Sequence, residues 1–141
     1  MQSFRLRHAE WERDRAPLQA VRRAVFVVEQ KVPEELEWDE FDSVSTHVLA
    51  EDRSGQAIGT GRLLPDGHVG RMAVVAGWRG RGVGDALLTW LIEQARDRGM
   101  PELLLHAQSH AVPFYLRHGF ACVGDEFIEA GMAHRLMRRA A

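Results

Sequence analysis

Cysteine occurs once, at Cys122, which excludes an intrachain disulfide and leaves no set of thiolates for a metal cluster. A reducing cytoplasm is the expected setting. No apolar run approaches the roughly eighteen residues of a membrane span, and the opening "MQSFRLRHAEWERDR" has no apolar h-region of a secretory leader. Charge of one sign is lacking too. Eighteen basic and 20 acidic residues leave a formal charge of -2, so no global field recruits nucleic acid or an anionic membrane, and any anion site must be local. Repeats, low-complexity tracts and linkers are missing. What is present, 141 residues of which 45% are hydrophobic and 27% charged, suits one globular domain spanning 1–141.

Periodicity then divides the chain. In "SFRLRHA", Phe4 and Leu6 alternate with charged neighbours, which predicts a half-buried strand. Pro17 suits a first helical turn, and Leu18, Val21, Val25 and Val28 form an apolar stripe reaching about Gln30. The acidic "KVPEELEWDEFDSV" has no clean period and reads as a loop with one helical turn. "THVLAED", "AIGTGRLL" and "HVGRMAVV", separated by "DRSGQ" and "PDG", predict an antiparallel meander. Val83, Leu87, Leu88, Leu91, Ile92 and Ala95 share one face of a helix that Gly99 and Pro101 close. "LLLHA" reads as a buried strand pairing in parallel beside residues 69–75; a short helix "AVPFYLRHG" and the strands "FACVGDEF" and "AHRLMRR" follow. The expected class is α+β with a mixed sheet.

The glycine turn "RGRGVG" carries the chemistry. Gly80, Gly82 and Gly84 bare the backbone, Arg79 and Arg81 add charge, and a helix starting at Val83 or Gly84 adds its positive end, together favouring a phosphate or pyrophosphate. An isolated turn of this kind also serves simply to join strand to helix. A P-loop is excluded because Asp85 and Ala86 stand where Lys and Ser/Thr belong. A dinucleotide fingerprint is disfavoured: the glycines alternate as G-x-G-x-G, three strands precede them, and Glu102 lies at the wrong end of its strand.

Arg79 through Gly84 resembles the Arg/Gln-x-x-Gly-x-Gly/Ala signature of the GNAT superfamily of N-acetyltransferases, and the likeness extends across "MAVVAGWRGRGVGDALL" and "AVPFYLRHGF". "RRAVFVVEQKVPEELEWDEFD" and "DEFIEAGMAHRLM" are similar to the ElaA and YjcF branch. The resemblance implies a mostly antiparallel mixed sheet flanked by helices with a central parallel split, and transfer of an acetyl group from acetyl-CoA (coenzyme A) to a primary amine by direct attack through a tetrahedral intermediate. It further implies that Arg79, Gly80, Arg81, Gly82, Val83 and Gly84 hold the pyrophosphate and that Met72, Ala73 and Val74 pair with the pantetheine arm. The Val74 amide would meet the thioester oxygen, an aligned donor costing about 3 kcal/mol when lost. Tyr115, the sole tyrosine, would bond the sulfur and protonate the leaving thiolate. Gln108, Ser109 and His110 replace the asparagine many relatives carry.

The amine's base is open among Glu29, His106 and His134, each also a substrate-positioning candidate. Trp38 is expected to line the acceptor cleft, and Glu34, Glu35, Glu37, Asp39, Glu40 and Asp42 to give its rim an acidic field that attracts a cationic amine. Cys122 has no nucleophile motif, which disfavours a covalent route. No metal is expected: "HAQSH" is not H-E-x-x-H, and His106 and His110 fall on different elements. The four tryptophans lack the basic interleaving of nucleic-acid binders. A non-catalytic acyl-CoA-binding regulatory module stands as the alternative, the acceptor is a small molecule or a peptide amine, and a monomer or a homodimer fits equally.

Overall fold

A computed structural model describes residues 3–141. Strand β1 (Phe4–Ala9) pairs antiparallel with β2 (Thr46–Asp52), β2 with β3 (Ala57–Leu63), and β3 with β4 (Val69–Val74). A second antiparallel sheet orders β5 (Glu102–Gln108), β7 (Met132–Ala140) and β6 (Ala121–Glu129), with β7 central. The helices are α1 (Trp11–Arg22), α2 (Glu34–Glu37), α3 (Val83–Asp97) and α4 (Val112–Arg117), with a π-helical stretch at Arg23–Glu29.

The expected parallel pairing of β4 with Leu103–Ala107 shrinks to one bridge, His68 with Leu104, where the Leu104 amide donates to Gly67 O at 3.0 Å. Past that pivot the strands part. Gly67 permits the contact, because its φ is +97° and a Cβ there would stand 2.6 Å from the Glu102 carbonyl oxygen. Between the Thr60–Ala73 and Arg62–Gly70 pairs, β4 carries one extra residue beside Arg71, whose φ is +51°. Such a bulge bends its strand, here turning β4 away from β5.

Two layers cover the first sheet. On one side α3 buries Val83, Leu87, Leu88, Leu91, Ile92 and Ala95, the stripe its periodicity predicts. On the other, Leu18, Val21 and Val25 pack onto Leu49 and Ala73. Two expectations for this second layer need correction. Helix α1 begins at Trp11, and Pro17 lies inside it; without an N–H, Pro17 cannot bond Arg13, and the helix breaks at Asp14 (φ -109°, ψ 19°), leaving Pro17 in the first turn of the second segment. Val28 is 59% exposed, because the wider winding after Arg22 rotates it off the apolar face.

Candidate active site

Where β4 and β5 part, a cavity of about 1050 Å³ opens, walled by Met72–Val74 of β4, Leu105 and His106 of β5, Tyr115 of α4 and the π-helical stretch. Which main-chain groups face it follows from the ladder. Val75 donates to Ile58 O at 3.0 Å, so strand alternation points the Ala73 amide and carbonyl to β3 as well, and those of Met72 and Val74 into the split. The expectation that Ala73 pairs through its main chain is therefore corrected: its polar groups are spent on the sheet. The Val74 carbonyl confirms the orientation by accepting Arg79 Nε at 2.9 Å.

Beyond Val74 a turn at Ala76–Trp78 leads to the glycine loop. Gly80 and Gly82 have φ of +74° and +84°, with open space where a Cβ would stand. Helix α3 starts at Val83 and its first internal bond runs from Ala86 N to Gly82 O at 3.1 Å, so the amides of Val83, Gly84 and Asp85 have no acceptor within the helix. With the helix dipole behind them, they form a cradle that fits a diphosphate. Arg81 lies over the Trp78 ring at 4.7 Å. Arg79 departs from its expected place at the loop: its amide donates to Ala76 O, and its guanidinium turns back to Val74 O and to Glu29 at 2.6 and 2.9 Å.

Tyr115 is 8% exposed, set edge-on to Phe114 and Phe120, and burial pushes its hydroxyl pKa up to about 12. The hydrogen bonds from Arg79 hold the Glu29 carboxyl below its ordinary value, so the ion pair lowers its basicity. Next to Glu29, Gln30 exchanges two hydrogen bonds with Gln108, at 2.8 and 3.3 Å, so Gln108 spans the split.

Most of the acidic segment is paired with arginines. Arg22 holds Glu37 at 2.8 Å and Asp42 at 2.7 Å, Arg62 holds Asp39 at 2.7 Å and Asp42 at 2.8 Å, and Arg71 reaches both Glu37 and Asp39. Burial raises the Glu37 carboxyl, whereas for Asp39 and Asp42 the arginines overcome burial and lower theirs. Glu34 is bound by Arg23. The expected acidic field at the rim is thus reduced to the exposed Glu35 and Glu40, the other four carboxylates being paired with arginines. Trp38 likewise lies outside the cavity wall, under the guanidinium groups of Arg22 and Arg23 at 5.1 and 5.5 Å, a cation–π clamp that corrects its assignment to the acceptor cleft.

His106 and His134 do line the cavity, joined by His68 and Glu129, which sequence reasoning missed. His106 Nδ1 stands 2.9 Å from Glu129, and His134 stacks on Phe127 with its Nδ1 donating to Met132 O at 2.8 Å. His68 was legible only as the first residue of "HVGRMAVV", ahead of the strand that carries Met72 and Val74; Glu129 had no such signal. No group of three or more His, Cys, Asp and Glu able to hold a metal occurs among the described residues. No helix among them is long and apolar enough to cross a membrane.

Comparison with known proteins fits this geometry. Residues 12–141 match the family described as Acetyltransferase (GNAT) domain. The chain is 38% identical over 123 residues to the uncharacterized N-acetyltransferase YjcF of Bacillus subtilis, covering 84% of this chain and 87% of that one. Among solved structures it is similar to an acyl-CoA N-acyltransferase from Pseudomonas aeruginosa (TM-score 0.87, 31% identity, 98% and 100% of the two chains). It is also similar to Escherichia coli ElaA (TM-score 0.86, 26% identity, 96% and 99%). A split sheet, a glycine cradle at a helix start and these relatives together establish that the chain belongs to the GNAT acetyltransferases, on the branch of ElaA and YjcF, and is an acyl-CoA-dependent acetyltransferase.

Proposed function

We propose that the chain, as one domain over 1–141, transfers the acetyl group of acetyl-CoA to a primary amine of a small molecule or peptide in the cytoplasm, by direct attack. The observation that carries this reading is the pair of Val74 main-chain groups turned into the same cavity that Tyr115 lines. The amides of the Gly80–Gly84 loop and the α3 start hold the diphosphate, and the strand edge at Met72 and Val74 accepts the pantetheine arm as an added strand. The Val74 N–H steadies negative charge on the thioester oxygen. The acetyl thioester supplies the activated carbonyl. Tyr115, neutral across the working pH range, donates its hydroxyl proton toward the departing sulfur. Cys122 packs against the main core rather than lining the cavity, which supports direct attack over a covalent route.

The acceptor enters the half of the cavity beneath the π-helical stretch, where Val25, Phe26, Val32, Leu36 and Phe41 offer apolar walls. Two measurements test the reading: calorimetric titration with acetyl-CoA, and release of coenzyme A in the presence of a panel of primary amines. Binding with amine-dependent release is expected. Binding without release from any amine would mark a non-catalytic acyl-CoA-binding module, and thermal protection by ATP or NAD with none by acetyl-CoA would overturn the reading.

A further inference from the structure

We infer that His106 is the base that takes the acceptor amine's proton and that Glu129, at the end of β6 where it turns into β7, is the residue that orients it. This rests on the acetyl-transfer reading above and names the group that reading leaves open.

Three observations select His106. Strand β5 buries Leu103, Leu105 and Ala107 in the core, so His106 projects from the opposite face, into the cavity. Its side chain is 43% exposed, whereas His134 is 7% exposed and Glu29 is committed to Arg79. Finally, a carboxylate only accepts hydrogen bonds, so the 2.9 Å contact with Glu129 places a proton on His106 Nδ1, and in the neutral imidazole the lone pair is then on Nε2. A carboxylate fixing the ring and tautomer of an imidazole base is the arrangement of acid–histidine pairs in many hydrolases. The Phe127 ring, nearly perpendicular to it with centroids 5.2 Å apart, limits its rotation.

The groups facing His106 come from four elements. From the turn just before β4 comes His68, whose ring centroid is 6.2 Å away and whose Nδ1 is 3.0 Å from Asp66. From β6 comes Glu129. From β7 come His134, with its Nε2 3.9 Å from Glu129, and, two steps along that face, Arg138. The turn after β5 contributes His110 at the cavity wall. Glu129 is the carboxylate within reach of both His106 and His134, so a proton arriving on His106 is balanced by it.

The step balances as follows. An ammonium acceptor gives one proton to His106 Nε2 and becomes a neutral amine; the nitrogen lone pair forms the bond to the acetyl carbon, and the carbon–sulfur pair leaves with sulfur. Tyr115 gives sulfur its proton and recovers one from the amide nitrogen. His106 releases its proton to water through its exposed edge.

The first test needs no acceptor. Long-range proton–nitrogen NMR of the imidazole rings should find His106 with its proton on Nδ1 in the free protein, and Glu129→Gln should shift the population toward Nε2–H. The second uses the best amine of the panel. His106→Gln should lower kcat/KM about a hundredfold near neutral pH, the deficit closing as pH nears the amine's own pKa, and added imidazole should restore turnover to His106→Ala. Glu129→Gln should lower it about tenfold and move the acidic limb of the profile. Acetyl-CoA affinity should be unchanged in all three variants. An Nε2–H tautomer in the wild type, or wild-type turnover in His106→Gln with cofactor binding intact, overturns this inference alone. Failure of the wild type to bind acetyl-CoA overturns the acetyl-transfer reading with it.

Discussion

Arg79 grips Glu29 with both terminal nitrogens, and its Nε holds the Val74 carbonyl. A signature arginine thus ties the cavity roof to the strand edge. Glu29→Gln should leave the shape of the pH–rate profile unmoved and change kcat less than about threefold, since half-exposed ion pairs carry little energy. A lost or displaced acidic limb in that variant's profile would restore Glu29 as the base.

Tyr115 can be followed directly because no other tyrosine is present. With its pKa raised from 10 to about 12, the hydroxyl stabilises the fold fully below pH 10, and that contribution is lost as pH climbs toward 12. The tyrosinate absorbance of the native protein should therefore rise near pH 12, against about 10 in denaturant. Tyr115→Phe should lower kcat about a hundredfold while the acetyl-CoA Kd from calorimetry stays within about twofold.

Gly82 faces open space, so a substituent there meets no protein atom but must adopt a φ of +84°. Asparagine tolerates that conformation, and Gly82→Asn should fold with a small loss of Tm. Gly82→Asp adds a negative charge at an anion cradle and should weaken acetyl-CoA binding more than about a hundredfold by calorimetry. Equal affinities for the two variants would remove the diphosphate from this loop.

Asp14 reports on acid stability. Burial would raise its carboxyl, but Arg7, the Glu10 amide and Arg13 outweigh that and hold it at about 2 instead of 3.8. A depressed carboxyl stabilises above its unfolded pKa and loses that contribution as pH falls through the window from 3.8 to about 2. Asp14→Asn should lower Tm at neutral pH and flatten the acid limb of a thermal-melt series across that window.

Local patterns were legible wherever one element decides its own fate. The α3 stripe, the three meander strands and the glycine turn obey spacing rules that need no partner. Features set by tertiary partners escaped. Glu37, Asp39 and Asp42 look like a solvated acidic run until Arg22, Arg62 and Arg71 arrive from three other elements. Glu129 meets His106 only because β6 and β5 flank β7, and Val28 left its stripe because the π-helical winding has a different period.

Glu29 and Gln30 are adjacent, yet one binds Arg79 on the β4 side and the other Gln108 at the end of β5. Where backbone pairing between the two sheets has ended, this dipeptide acts as a crossbar, and the gauge of the gap is set by the reach of two side chains. Trimming Gln30 to alanine would unfasten one end of that strut and let the half-sheets drift apart, so on the acetyl-transfer reading proposed above the fit of the thioester between them is governed by a segment that belongs to neither.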